Sequence, residues 1–127
     1  MTNYDSTVLT YAEGRQSVTM TAVTVSEGSD ECCIDVSAGG AGPALLLIDA
    51  SLAGTTITIT LHAGDGPAAA VDKAIELEQQ KFAVIPIDTA AFGRADGKIY
   101  FKIEAESSLS TTNTHIGALL LRNVNAY

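Results

Sequence analysis

The stretch Thr55-Thr56-Ile57-Thr58-Ile59-Thr60-Leu61-His62 decides the fold class. Apolar and polar side chains alternate without a break, so Ile57, Ile59 and Leu61 share one face while Thr56, Thr58 and Thr60 share the other. A helix of period 3.6 cannot sort them that way, whereas a half-buried strand does. Lys98 to Glu104 repeats the pattern, with Ile99, Phe101 and Ile103 inward and Lys98, Lys102 and Glu104 outward. Ser17 to Val25 and Glu31 to Ser37 read as strands. Val71 to Gln80 has a composition that also suits a helix, but Ile75 and Leu77 alternate with Glu76 and Glu78, which favours a strand.

Three segments do not alternate: Ala44–Ile48, Phe82–Ile87 and Ala118–Leu121 are apolar on both faces. Such a strand needs cover on its second face, from another layer of the chain or from another subunit. The connections are rich in turn formers, as in Gly39–Pro43, Ala63–Pro67 and Ala95–Lys98. Asp88 is placed to cap a single helical turn ending near Phe92. Pro86 suggests an edge position or a strand terminus. About eight strands and no helix long enough for a crossover predict an all-β chain: an antiparallel two-sheet β-sandwich, jelly-roll-like. An immunoglobulin-like sandwich lacks its core signature, since the chain has no Trp. Residues 1–16, polar with scattered anchors, read as an N-terminal arm, and residues 17–127 as one β-sandwich domain.

Bulk properties exclude several classes. With 127 residues, 46% of them hydrophobic, the chain fits one domain with its own core. The net charge is −8. Residues 1–65 hold eight acidic groups against Arg15 alone, so nucleic acid is not an expected partner. No apolar run approaches the roughly 20 residues of a membrane span. Met1–Ser6 has neither a basic region nor an apolar one, so no secretory signal is expected. Cys32 and Cys33 are adjacent, point to opposite faces of a strand and cannot close a structural loop. Packing is their expected role.

No catalytic constellation emerges. His62 lies near Asp65 in sequence and His115 stands alone, with no convergent nucleophile. Gly39–Gly42 has no following helix to serve a phosphate. Glu27, Asp30 and Glu31 offer oxygen ligands for Ca²⁺, yet a solvated turn is the expectation. The chain is therefore expected to be no enzyme and to carry no catalytic, cofactor or metal site. On a jelly roll, sugar binding is the alternative. Tyr100 is the one aromatic side chain expected on the polar face of a strand.

Two turn motifs carry a resemblance. Thr58-Ile-Thr-Leu-His-Ala-Gly-Asp-Gly-Pro67 runs a strand into a turn, and Phe92-Gly-Arg-Ala-Asp-Gly-Lys98 runs a turn into a strand. Between them lie Ile75-Glu-Leu-Glu78 and the Phe82–Ile87 return. In this order they resemble the capsid decoration (head-stabilising) proteins of tailed bacteriophages, over about Leu45 to Phe101. Ala68-Ala-Ala70 departs from the family in lacking bulky anchors after the proline. The resemblance implies a structural virion protein, made in the host cytoplasm and bound to the outside of the phage head. It also implies the major capsid protein and further copies of the chain as partners, in a homo-oligomer with a trimer favoured. Under this reading Leu46, Ile85 and Leu120 on the two-faced strands supply subunit contacts. Tyr4, Leu9 and Tyr11 of the arm lie along the shell. The alternative remains a carbohydrate-binding module of a phage tail or surface protein.

Overall fold

The computed structural model describes residues 1–9, 17–25, 28–39, 42–51, 55–77, 81–106 and 114–121. Ten strands are described: β1 (Thr2–Tyr4), β2 (Ser6–Val8), β3 (Thr21–Ala22), β4 (Gly28–Asp35), β5 (Ala44–Asp49), β6 (Ile57–Leu61), β7 (Lys73–Leu77), β8 (Phe82–Ile87), β9 (Lys98–Ala105) and β10 (His115–Leu120). One helical turn, α1 (Thr89–Phe92), separates β8 from β9. Asp88 caps it, its side chain accepting from the Ala90 amide at 2.9 Å.

The strands form two sheets. The first runs β1-β4-β9-β6-β7 and the second β2-β10-β5-β8, with β3 also on β10. Antiparallel pairs are nested: β3 with β10, β4 with β9, β5 with β8, and β6 with β7. This is one long hairpin, its tip at β6–β7, rolled over so that successive pairs fall in two layers. β5 against β10 and β6 against β9 complete the layers. The expected sandwich and its jelly-roll connectivity are therefore found in β3 to β10.

Two features differ from the expectation. The sheets are mixed rather than purely antiparallel, because β1 pairs parallel with β4 and β2 parallel with β10. Both added strands come from the segment read as an arm. Thr2–Tyr4 extends one sheet and Ser6–Val8 the other, with only Asp5 between them. The Thr2 hydroxyl donates to Asp30 at 2.8 Å, the Ser6 hydroxyl to the Asp35 carbonyl at 2.7 Å, and the Leu9 amide to the Leu120 carbonyl at 2.9 Å. Residues 10–16 lie outside the described residues. The strand expected over Ser17–Val25 is regular only at Thr21–Ala22.

The core lies between the sheets. Ile34, Ile57, Ile59, Leu61, Ile99, Phe101 and Ile103 face it from the first sheet, and Leu46, Ile48, Ile87, Ile116 and Leu120 from the second. Tyr4 leans its ring against Phe101, with centroids 6.1 Å apart. Burying side chains of this size stabilises by roughly 1.5–3 kcal/mol each before chain entropy is counted.

Candidate functional site

The second sheet shows how a two-faced strand is handled. Leu46, Ile48, Ile85, Ile87, Ala118 and Leu120 point into the core and are fully or nearly fully buried. Their alternates point outward. Leu45 pairs with Pro86 and Leu119, Leu47 with Val84 and Gly117, and Asp49 with Phe82 and His115. The outer face thus carries an apolar strip of Leu45, Leu47, Leu119, Val84, Phe82 and Pro86. The chain covers part of it. Ser17–Met20 crosses so close to Gly117 that a β-carbon there would meet the Thr19 carbonyl oxygen at 2.6 Å and the Met20 sulfur at 2.7 Å. Leu45, Leu47 and Leu119 are half-buried. Phe82 and Val84 remain 55% and 51% exposed on β8, the edge of this sheet.

The residues singled out for contacts are placed otherwise than expected. Leu46, Ile85 and Leu120 belong to the chain's own core, and Tyr4, the last residue of β1, is buried in that core as well. Leu9 is half-buried beside β10. Tyr11 lies outside the described residues. On the apolar strands the surface-facing set is therefore the neighbouring one. The charged Asp49 marks it: counting back by two gives Leu47 and Leu45 on the same face.

The two turn motifs of the resemblance meet in space. The Gly64 amide donates to the Ala91 carbonyl at 3.0 Å, and the Ala95 amide donates to the two Asp65 carboxylate oxygens at 3.0 and 3.2 Å. Arg94 adds a contact from Nε to the Ala63 carbonyl at 3.4 Å. A positive φ of 80° at Gly97 closes the second turn. Between the turns opens a cleft of about 590 Å³, bordered by Val36, Pro67, Ala68, Thr89, Ala90 and Arg94.

His62 sits between two carboxylates on the outer face of the first sheet. Its Nε2 lies 2.9 Å from Glu31 and its Nδ1 3.2 Å from Asp72. Asp65, its neighbour in sequence, is turned away to Ala95. Partial burial alone would lower the His62 pKa, but hydrogen bonds to Glu31 and Asp72 outweigh it and hold the pKa above the usual histidine value. Asp72 is held below the usual carboxylate range by the Ala63 amide, at 2.7 Å, and then by His62. A general base needs a free lone pair on one nitrogen and a nucleophile beside it. Here both ring nitrogens face carboxylates. The two carboxylates sit at opposite ends of the ring, so they cannot converge with it on one ion. Among the described residues no group of three or more His, Cys, Asp or Glu is arranged for a metal. Of the proposed calcium oxygens, Asp30 accepts from Thr2, Glu31 binds His62, and Glu27 lies outside the described residues.

The remaining candidates are packed or engaged. Cys32 and Cys33 are both buried as free thiols. Burial, followed by the Asp30 charge, pushes the Cys32 pKa up to about 12. The Cys33 sulfur lies 2.6 Å from Asn3 Oδ1. Tyr100 faces outward as expected, but the Arg94 guanidinium lies over its ring, 4.7 Å from the centroid, and its hydroxyl donates to Asp96. A sugar ring would have to displace Arg94 to stack there.

No protein-family model, no curated protein and no solved structure matches this chain.

Proposed function

We propose that this chain is a structural virion protein, a capsid decoration protein that associates with itself and with the major capsid protein on the outside of a phage head. The observation that carries the reading is the apolar strip on the outer face of the second sheet, where Phe82 and Val84 stay more than half exposed. Contiguous apolar surface of this kind marks an interaction site. Pro86 lies on the same strand and removes a backbone donor, which disfavours simple strand addition and favours face packing. The net charge of −8 keeps such a surface soluble before assembly. Many weak copies on a repeating shell then bind tightly through multivalency. The resemblance of the two turn motifs supports the same reading, and their mutual packing gives those short sequences a structural reason.

Light scattering on the purified chain, with wild type and Val84→Asp compared, tests the reading. Wild type is expected to be oligomeric at micromolar concentration, and Val84→Asp to be a folded monomer. It should also sediment with decoration-stripped phage heads, which Val84→Asp should fail to do. A monomeric wild type that ignores heads would sink the proposal.

A further inference from the structure

A neutral imidazole has one N–H and one lone pair, so it can donate to only one of two carboxylates. His62 has a carboxylate at each nitrogen, Glu31 on Nε2 and Asp72 on Nδ1. Only the imidazolium satisfies both, since each nitrogen is then a donor. The three residues belong to different parts of one sheet. Glu31 is on β4, His62 follows β6, and Asp72 immediately precedes the edge strand β7. The cluster therefore ties three of the five strands together across β9.

From this geometry we infer that His62 is a proton-operated clasp, which as an imidazolium fastens β7 and the loop before it to β4 and on losing a proton releases one carboxylate. Loss of the proton leaves a lone pair facing a carboxylate oxygen at about hydrogen-bond distance, which is repulsive. Asp72 keeps its bond from the Ala63 amide in either state. Among the described residues, the outer face of this edge strand presents Ala74 and Glu76, both exposed.

Other charges surround the cluster. Lys102 on β9 acts on both carboxylates and is paired with Glu104 at 2.9 Å. Arg94 acts on Asp72 from the β9 turn. Tyr100 is bonded to Asp96, and Asp65 is bonded to the Ala95 amide. The clasp is closed while His62 is an imidazolium between its two carboxylates. Because the folded pKa lies above the unfolded value, its contribution is full below about pH 6.5 and fades as pH rises through the folded pKa.

Nitrogen-15 NMR of the whole chain, combined with amide hydrogen exchange, tests this. At about pH 6, both ring nitrogens of His62 should show protonated shifts, with a midpoint above 6.5. Between about pH 6 and pH 9, the protection factors of β7 amides should fall about threefold to fivefold relative to those of β9, as expected for a partly exposed ion-pair cluster. His62→Gln, which cannot charge, should abolish that relative fall, and Glu31→Gln should lower the His62 midpoint. A midpoint at or below 6.5 overturns the inference. So does a constant β7 protection in wild type, or an equal fall in His62→Gln.

Discussion

A β-carbon placed on Gly64 would lie 2.5 Å from the Gly93 carbonyl oxygen and 2.9 Å from that of Ala91. The loop after β6 and the turn around α1 are thus pressed together, backbone against backbone. Gly64→Ala should cost about 1–3 kcal/mol, the usual range for overpacking, because neither carbonyl is a flexible side-chain end. Gly66→Ala, two residues on, meets nothing within 4 Å and should stay within about 0.5 kcal/mol of wild type. Urea denaturation of both variants checks the contrast.

Adjacent residues on β5 should separate folding from association. Leu46→Asp places a charge in the core and should unfold the chain. Val84→Asp changes only the exposed outer strip and should alter stability by about 1 kcal/mol or less while removing self-association, and Leu47→Asp, at a half-buried site, should cost more than Val84→Asp but less than Leu46→Asp. Circular dichroism melts beside light scattering distinguish the two effects. Equal loss of fold in all three would refute the assignment of faces.

At the centre, Phe101→Ala should be the most damaging single truncation, at about 3–5 kcal/mol. Its ring is fully buried and supports Tyr4, so the loss should also loosen β1. Chemical denaturation gives the first quantity and amide exchange of Thr2–Tyr4 the second.

Neither thiol should react with a disulfide reagent at about pH 8 while the chain is folded, since thiolate is the reactive form. Burial raises the Cys32 pKa to about 12, and Cys33 is 2% exposed. Both should titrate together once urea unfolds the chain. A fast-reacting thiol in the native state would contradict the burial of β4.

Part of the acid sensitivity should trace to two serine-capped carboxylates. Ser37 donates to Asp35 through its hydroxyl and amide, and Ser51 to Asp49 likewise, holding both pKa values below the usual 3.8. A depressed folded pKa gives stability that is present above the unfolded value and lost as pH falls through the folded one. Ser37→Ala and Ser51→Ala should therefore lose less stability than wild type between about pH 5 and pH 3, as read by urea midpoints.

The sequence made the centre of the fold legible and its margins less so. Strict alternation in β6 and β9 located both strands and their inward faces, and Asp88 announced α1. Ile75 and Leu77 correctly argued β7 against a helix. In the run Ala44–Ile48 the period-two signal is silent, so nothing local tells that Leu46 is core and Leu47 faces outward. β1 and β2 are short and polar, and they are held by parallel pairing to distant strands, which leaves no local pattern to find. The partners of His62 lie 31 and 10 residues away, so only the register of the sheets brings them to the ring.

The nested pairing also constrains the order in which the protein is built. β10 sits between β2 and β5 in the second sheet, yet in chain order it is the last of the described strands. On a ribosome, β2, β3 and β5 must wait without their common neighbour until residue 120 emerges. Contacts of such long sequence separation form slowly, in milliseconds to seconds. During that interval the leucines of β5 are open to solvent and to other nascent chains, and abundant expression should draw on chaperones.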